Sequence, residues 1–265
     1  MSEGTNSRPL AGRSIVVTRP AHQALSLARA IEGAGGQPVL FPAIEIRDAD
    51  DLGPFTRLVD RLDEYDFAIF ISPNSVERAM SLIVARRKLP PGLIIATVGG
   101  GSVRALERFG VTNIVAPKDR YDSEALLEQP EFKVVSFKRV VIFRGAGGRE
   151  HLGETLRERG ATVDYAECYR RCLPEADPAP LLKAWARSRI DAVTVTSGEG
   201  LRNLFELLGD AGREPLRGTP LFVPHPRIAE AAQALEVRTV IVTGPGDSGL
   251  LTGLAAYFSA PRKNP

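Results

Sequence analysis

Residues 139–149 read RVVIFRGAGGR. The run Val140-Val141-Ile142-Phe143 has no alternating polar position, so it reads as a strand buried on both faces, as in parallel sheets covered by helices. A glycine-rich turn follows, then a stretch of helical period over Arg149–Gly160, then a second strand over Ala161–Tyr169. The same alternation continues outward in both directions. Ser14–Thr18, Gln37–Ile46, Asp66–Ile71, Leu93–Val98 and Val111–Ala116 read as strands before it. Ile190–Thr196, Pro220–Val223 and Val237–Thr243 read as strands after it. Helices are predicted over Ala21–Gly35, from about Pro73, and over Ser102–Gly110, Leu201–Leu208 and Ile228–Leu235. Strands alternating with helices predict an α/β fold. Gly35-Gly36 and Gly160 stand where helices end, and Pro73, just after Ser72, stands where one begins.

Sliding the chain along itself by 125 positions shows an internal repeat. Ile15-Val16-Val17 falls on Val140-Val141-Ile142, and Arg19 falls on Arg144. Gly35 falls on Gly160, Asp66 on Asp191, Ser72 on Ser197, Val98 on Val223, Asp122 on Asp247, Ser123 on Ser248 and Leu126 on Leu251. The repeat alone predicts two consecutive copies, residues 13–137 and 138–262. Two similar lobes imply a cleft, and ligands of parallel sheets sit beyond the carboxyl ends of the strands.

The residues at those ends are small, hydroxylated or glycine-rich. They are Thr18-Arg19-Pro20, Ser72-Pro73-Asn74-Ser75, Gly99-Gly100-Gly101-Ser102, Arg144-Gly145-Ala146-Gly147-Gly148, Ser197-Gly198, Pro224-His225-Pro226-Arg227 and Gly244-Pro245-Gly246-Asp247-Ser248. Most lead into helix N-termini, whose free N–H groups and dipole favour anions. Ser72, Ser123, Ser197 and Ser248 read equally as N-caps, and capping does not exclude binding a ligand. Read without context, Tyr169 is a half-buried strand tyrosine, and His225 a loop residue held by two prolines.

Composition narrows the function. Hydrophobic residues are 43% and charged residues 25% of 265, which excludes wholesale disorder. No apolar run reaches the roughly 20 residues that span a bilayer, and no signal peptide is read at the start. The expected location is therefore cytoplasmic. Net charge is +2, too slight to point to nucleic acid. Cys168 and Cys172 form no disulfide framework, read as packing residues, and with three histidines predict no metal site. The run after Phe143 has Glu150 at the third fingerprint position, and no GxxxxGK[ST] loop occurs, so no nucleotide cofactor is expected.

Taken in order, these segments resemble the uroporphyrinogen-III synthase family. The resemblance lies in Val17-Thr18-Arg19-Pro20, in Phe70-Ile71-Ser72-Pro73-Asn74-Ser75-Val76, and in Thr97-Val98-Gly99 with Ser102, Leu106 and Gly110. It continues in Ser123-Glu124-Ala125-Leu126 and in Val141-Ile142-Phe143-Arg144-Gly145 with Gly148-Arg149-Glu150, Leu152, Leu156 and Arg159-Gly160. It closes with Tyr169-Arg170-Arg171 and Thr194-Val195-Thr196-Ser197. The resemblance implies two similar lobes with parallel sheets flanked by helices, joined by a two-strand linker. Carried onto this chain, residues 1–43 plus 172–265 form one lobe and 48–167 the other, with linkers 44–47 and 168–171.

The implied reaction closes the linear tetrapyrrole hydroxymethylbilane to uroporphyrinogen III in haem biosynthesis, without a cofactor. Ring D is inverted through a spiro intermediate and water is lost. Tyr169 matches the family's cleft tyrosine and is the implied acid for the departing hydroxyl. Arg19, Ser72, Asn74, Gly99, Ser102, Arg144, Gly145, Gly147, Ser197, His225, Arg227 and Ser248 are assigned to the substrate and its carboxylates. His225-Pro226-Arg227-Ile228 replaces a family turn with two threonines, so Arg227 is the candidate carboxylate partner there. The protein is expected to be a monomer with transient contact to the preceding deaminase, binding no nucleic acid and no membrane. The rival readings are a non-enzymatic bilobal sensor of an anionic metabolite and a nucleotide- or sugar-phosphate-dependent transferase.

Overall fold

The structure is a computed structural model and describes residues 8–118, 120, 122–148 and 150–260. Arg149, quoted above, lies outside them. The chain opens with β1 (Ser14–Val17), α1 (Ala21–Gly33), β2 (Gln37–Leu40), β3 (Glu45–Asp48) and α2 (Gly53–Asp60). Then come β4 (Phe67–Phe70), α3 (Pro73–Arg86), β5 (Ile94–Thr97), α4 (Gly100–Arg108), β6 (Ile114–Val115) and α5 (Ser123–Leu127). The second half holds β7 (Arg139–Gly145), α6 (His151–Glu158), β8 (Thr162–Cys172), α7 (Ala179–Ala186) and β9 (Ala192–Thr194). It ends with α8 (Gly198–Gly218), β10 (Leu221–Val223), α9 (Pro226–Ala234), β11 (Val240–Val242) and α10 (Gly246–Ser259).

The chain divides into two compact units: residues 1–45 with 172–265, hereafter unit 1, and residues 46–171, unit 2. The consecutive 125-residue copies read from the repeat are therefore not the compact units. The reason is strand pairing: β1 of the first copy pairs with β9 of the second, in parallel and in the register Ile15↔Ala192. The sheet of unit 1 has the order β11-β10-β9-β1-β2, and that of unit 2 the order β3-β8-β7-β4-β5-β6. Shifted by the repeat, β2-β1-β9-β10-β11 becomes β8-β7-β4-β5-β6, so the two sheets share one topology and unit 2 adds β3 at its edge.

Register follows the repeat at the centre of each sheet. Ser14 pairs with Gln37 as Arg139 pairs with Thr162, and Ile15 with Ala192 as Val140 pairs with Phe67. Toward β10 it slips by one: Val193 faces Leu221, whereas Ala68 faces Ile95. The counterpart of Val223 is thus Thr97, not Val98. The extra residue enters between β9 and β10, where α8 is kinked at Gly209 with a φ of 57°.

The central strands of each sheet are buried on both faces, which explains their unbroken apolar runs. In unit 2, Phe70, Val141 and Phe143 pack with α2, α3 and α4, while Phe67, Ile69, Val140 and Ile142 pack with α5 and α6. In unit 1, Val16, Val193 and Val223 pack under α7, α8 and α9, while Ile15, Val17 and Phe222 pack under α1 and α10. One acidic clamp recurs at the start of both central strand pairs. Asp191 accepts from Ser14 N (2.9 Å) and Arg13 Nη1 (2.8 Å). Asp66 accepts from Arg139 N (2.9 Å) and Lys138 Nζ (2.8 Å).

Gln37–Ile46 is not one strand but two, β2 and β3, in different sheets. Pro42 carries no N–H for a ladder, and the chain leaves unit 1 just beyond it. No helix formed by the described residues is long and apolar enough to cross a membrane.

Candidate functional site

Tyr169 lies near the end of β8, and a bulge decides where it points. Arg144 pairs with Glu167 but Gly145 pairs with Tyr169, so β8 carries one extra residue there. Alternation would send Cys168 and Tyr169 to opposite faces. Instead both pack in the same core cluster with Phe70 and Phe143. The ring lies against Gly145, where an added Cβ would come within 2.7 Å of it, so only glycine admits the tyrosine. The side chain is 1% exposed, and its hydroxyl stands 3.0 Å from Ser72 Oγ, with either able to donate.

Ser72 follows β4 and is the N-cap of α3. Its Oγ accepts from Ser75 N (3.1 Å), and Ser75 Oγ in turn accepts from Ser72 N (3.0 Å). The half-buried Ser72 hydroxyl thus joins a helix N-terminus to the buried phenol. Asn74, one position past Pro73, is buried in the first turn of α3. Gly99 is the N-cap of α4, and Ser102 is buried in its first turn. Gly101 brings the start of α4 beside Pro73 of α3. Gly147 turns the loop after β7 with a φ of 70°. These residues share the carboxyl-end edge of the sheet in unit 2.

Arg144 is held by its own unit. Its guanidinium is buried, 2.9 Å from Glu150 and 3.2 Å from Glu167, and 3.9 Å above the Tyr165 ring. It also reaches Gly148 O at 3.3 Å. These contacts tie Arg144 to the Gly145–Gly148 loop and to β8. The Tyr165 hydroxyl and then Arg144 hold the Glu150 carboxyl below its usual range. Gly145, read as an anion-binding turn residue, is strand backbone that makes room for Tyr169.

The remaining candidates belong to unit 1. Ser197 caps α8, its Oγ accepting from Gly200 N at 3.0 Å. His225 caps α9 through Nδ1, which accepts from Arg227 N at 3.1 Å, and both side chains are exposed. Ser248 is exposed in the first turn of α10 but is not its N-cap, which is Pro245. Ser123 likewise follows the cap: Asp122 accepts from Ala125 N at 2.7 Å. Arg19 is ion-paired with Asp247. The reading of the sequence missed that partner, although the repeat had placed Asp247 on Asp122.

Burial pushes the Cys168 thiol far up, which suits packing rather than reactivity. Among the described residues, no group of three or more His, Cys, Asp or Glu is disposed to hold a metal.

Comparison with known proteins follows this geometry. The family described as uroporphyrinogen-III synthase HemD matches residues 26–251. The uroporphyrinogen-III synthase of Escherichia coli K12 is 34% identical over 240 residues, covering 90% of this chain and 98% of that protein. The enzyme of that name from Salmonella typhimurium LT2 is 33% identical over 240 residues, with the same coverages of 90% and 98%. In fold, the chain resembles a mutant uroporphyrinogen III synthase from the extremely thermophilic bacterium Thermus thermophilus (TM-score 0.59, 20% identity, 92% of this chain and 99% of that one). It also resembles the uroporphyrinogen-III synthetase of Helicobacter pylori 26695 (TM-score 0.54, 14% identity, 91% and 97%). With a match spanning most of its length, and strand ends built around a buried tyrosine and capping serines, the chain belongs to the uroporphyrinogen-III synthase family.

Proposed function

We propose that this protein closes hydroxymethylbilane to uroporphyrinogen III, as a carbon–oxygen lyase that expels water. Its membership of the family, at 34% identity to the E. coli enzyme over nearly the whole of both chains, carries the reading. The C–O bond of the terminal hydroxymethyl group breaks, and the hydroxyl leaves as water with one added proton. The substituted carbon of ring D then bonds to the freed methylene carbon, giving the spiro intermediate. Its older bond to the neighbouring bridge carbon breaks, that bridge carbon bonds to the free position of ring D, and the hydrogen there leaves as a proton. Ring D is thereby inverted, and the proton spent on the departing water is returned.

Tyr169 is the source of that proton. Because the phenol is sealed in the core, the half-buried Ser72 hydroxyl is the atom that passes the proton outward, with Tyr169 behind it. The two hydroxyls form a relay that can donate to the leaving group and be recharged from solvent. Asn74, Gly99, Ser102 and Gly147 of unit 2, and Arg19, Ser197, His225, Arg227 and Ser248 of unit 1, bind and orient the substrate. Helix N-termini suit its carboxylates. Arg227, exposed beside the start of α9, offers a guanidinium to one of them. Positioning matters more than proton transfer, because the free precursor closes by itself without inversion. The reaction is assigned to the cytoplasm and to the small-molecule precursor alone, with no cofactor.

The test is the isomer ratio. Porphobilinogen is converted by its deaminase in the presence of the protein, and isomers I and III are separated. Isomer III is the expected product. An unchanged spontaneous ratio would remove the proposal.

A further inference from the structure

Val134 and Phe137 are the most exposed large apolar side chains among the described residues, at 82% and 97%. Val134 precedes one turn of unit 2 and Phe137 lies within it, and that turn has a twin. Lys138 N donates to Val135 O at 3.0 Å, as Arg13 N donates to Leu10 O at 3.0 Å. Val135 and Leu10 are both fully buried. The residue before the donor has positive φ in each, 72° at Gly12 and 63° at Phe137. Folding needs only what glycine supplies there, and unit 1 uses glycine. A phenyl side chain at positive φ is strained, and in water it gains nothing from burial. The turn is nevertheless held firmly: Phe137 N donates to Gly160 O (2.9 Å) and Ser136 Oγ to Arg159 O (3.1 Å). A strained apolar side chain kept at the surface by a fixed backbone calls for a function.

A hole lies close to it on the same unit. Pro91, Leu93, Ile94, Ile114, Val115 and Glu131 line an open hollow of about 450 Å³, ample for a phenyl ring. Glu131 precedes Phe137 by six residues, which keeps knob and hollow within about 22 Å. Phe137 does not enter the hollow of its own chain, since it is almost wholly exposed.

We propose that Phe137 of one copy seats in this hollow of a second copy, and reciprocally, giving a two-fold dimer. A knob and its hole on one patch are what an isologous interface requires. Charge agrees with this. Glu131 rims the hollow and Lys133 precedes the knob, and neither forms an ion pair with another described residue. In the dimer, Lys133 of each copy meets Glu131 of the other. The patch is small, so association is weaker than about 1 μM, and the monomer expected from the sequence is the dilute form.

Sedimentation of the full chain from about 1 μM to 1 mM tests this, spanning the weak range expected of a small patch. The mass rises from 28.6 kDa toward twice that value as concentration increases. Phe137→Gly stays monomeric throughout and melts no lower than the parent, because glycine suits the backbone there; lost association is thus kept distinct from lost folding. Glu131→Lys and Lys133→Glu each weaken the dimer about tenfold, and the two together restore it. A parent that is monomeric to the highest concentration, a dimer that survives Phe137→Gly, or a double exchange that fails to restore it overturns the proposal. So does co-sedimentation of the monomer with phosphatidylcholine vesicles that Phe137→Gly abolishes, which would give the knob to a membrane surface.

Discussion

The two units carry the same serine at the same place and put different side chains behind it. In unit 2, Ser72 caps α3 and its Oγ meets the hydroxyl of Tyr169. In unit 1, Ser197 caps α8, and the counterpart of Tyr169 is Ile44, whose side chain packs on Gly200 in the first turn of that helix. Ser197 is a cap with an isoleucine behind it, and Ser72 is a cap wired to a phenol. Around that difference much else is kept, including the sheet order, the aspartate clamp and the glycines at φ 88° after α1 and α6. A duplicated fold therefore shows which features serve folding, because they occur twice. The Tyr169–Ser72 contact occurs once, and the proposed chemistry is placed there.

The comparison can be broken by experiment. Tyr169→Phe removes the unpaired feature and is expected to cut turnover by about 100-fold, the low end of what positioned acids supply. The fold stays intact, because only a hydroxyl is lost. Full activity of that variant in the coupled isomer assay would remove Tyr169 from the chemistry.

The clamp aspartates test the opposite half of the comparison. Asp66→Asn and Asp191→Asn should each lower stability by about 1.5–3 kcal/mol, as expected for loss of charge-assisted hydrogen bonds, with similar effects in both units. Unequal losses, read by denaturant unfolding at neutral pH, would show that the clamps are not equivalent. Asp66 adds a pH signature. Burial alone would raise its carboxyl, but Lys138, the Arg139 N–H and their charges outweigh it, and the net shift is downward. A carboxyl lowered in the folded state stabilises above its unfolded value near 4, and that stability fades as pH falls through the folded value. The gap between parent and Asp66→Asn should therefore narrow as pH falls below the unfolded value near 4.

The capping serines come next. Ser72→Ala and Ser197→Ala should each cost about 1 kcal/mol of stability, as lost caps do. Ser72→Ala should also slow turnover more than Ser197→Ala does, because only Ser72 ends the proposed relay. Equal kinetic effects would mean that the phenol does not act through Ser72. Smallest is Arg227→Ala, expected to raise KM about threefold to tenfold with kcat little changed, the pattern of lost uniform binding. An unaltered KM would take the exposed guanidinium out of substrate recognition.

Much of this fold was legible because strands buried on both faces must be apolar throughout. Ile15-Val16-Val17 and Val140-Val141-Ile142 announce themselves, and their shared offset exposes the duplication. The same rule failed at Gln37–Ile46, where continuous apolarity conceals a change of sheet. The short helices α2 and α7 went unread, since eight residues hold too few turns for a period to stand out. The strand ends were found by topology, and Tyr169 by resemblance. What stayed hidden was side-chain commitment. Nothing local to Arg144 says that Glu150 and Glu167 converge on it, and nothing in β8 says that a bulge turns Tyr169 toward Ser72.

The discontinuous make-up of unit 1 sets an order of assembly. Residues 46–171 are one uninterrupted stretch, so everything unit 2 needs has been synthesised before β9 exists. Until then β1 has β2 on one side and an open edge on the other, a segment without the neighbour that buries it. The N-terminal strand–helix–strand must wait through more than half of translation for β9, while the whole of the later-starting unit is available to fold before it.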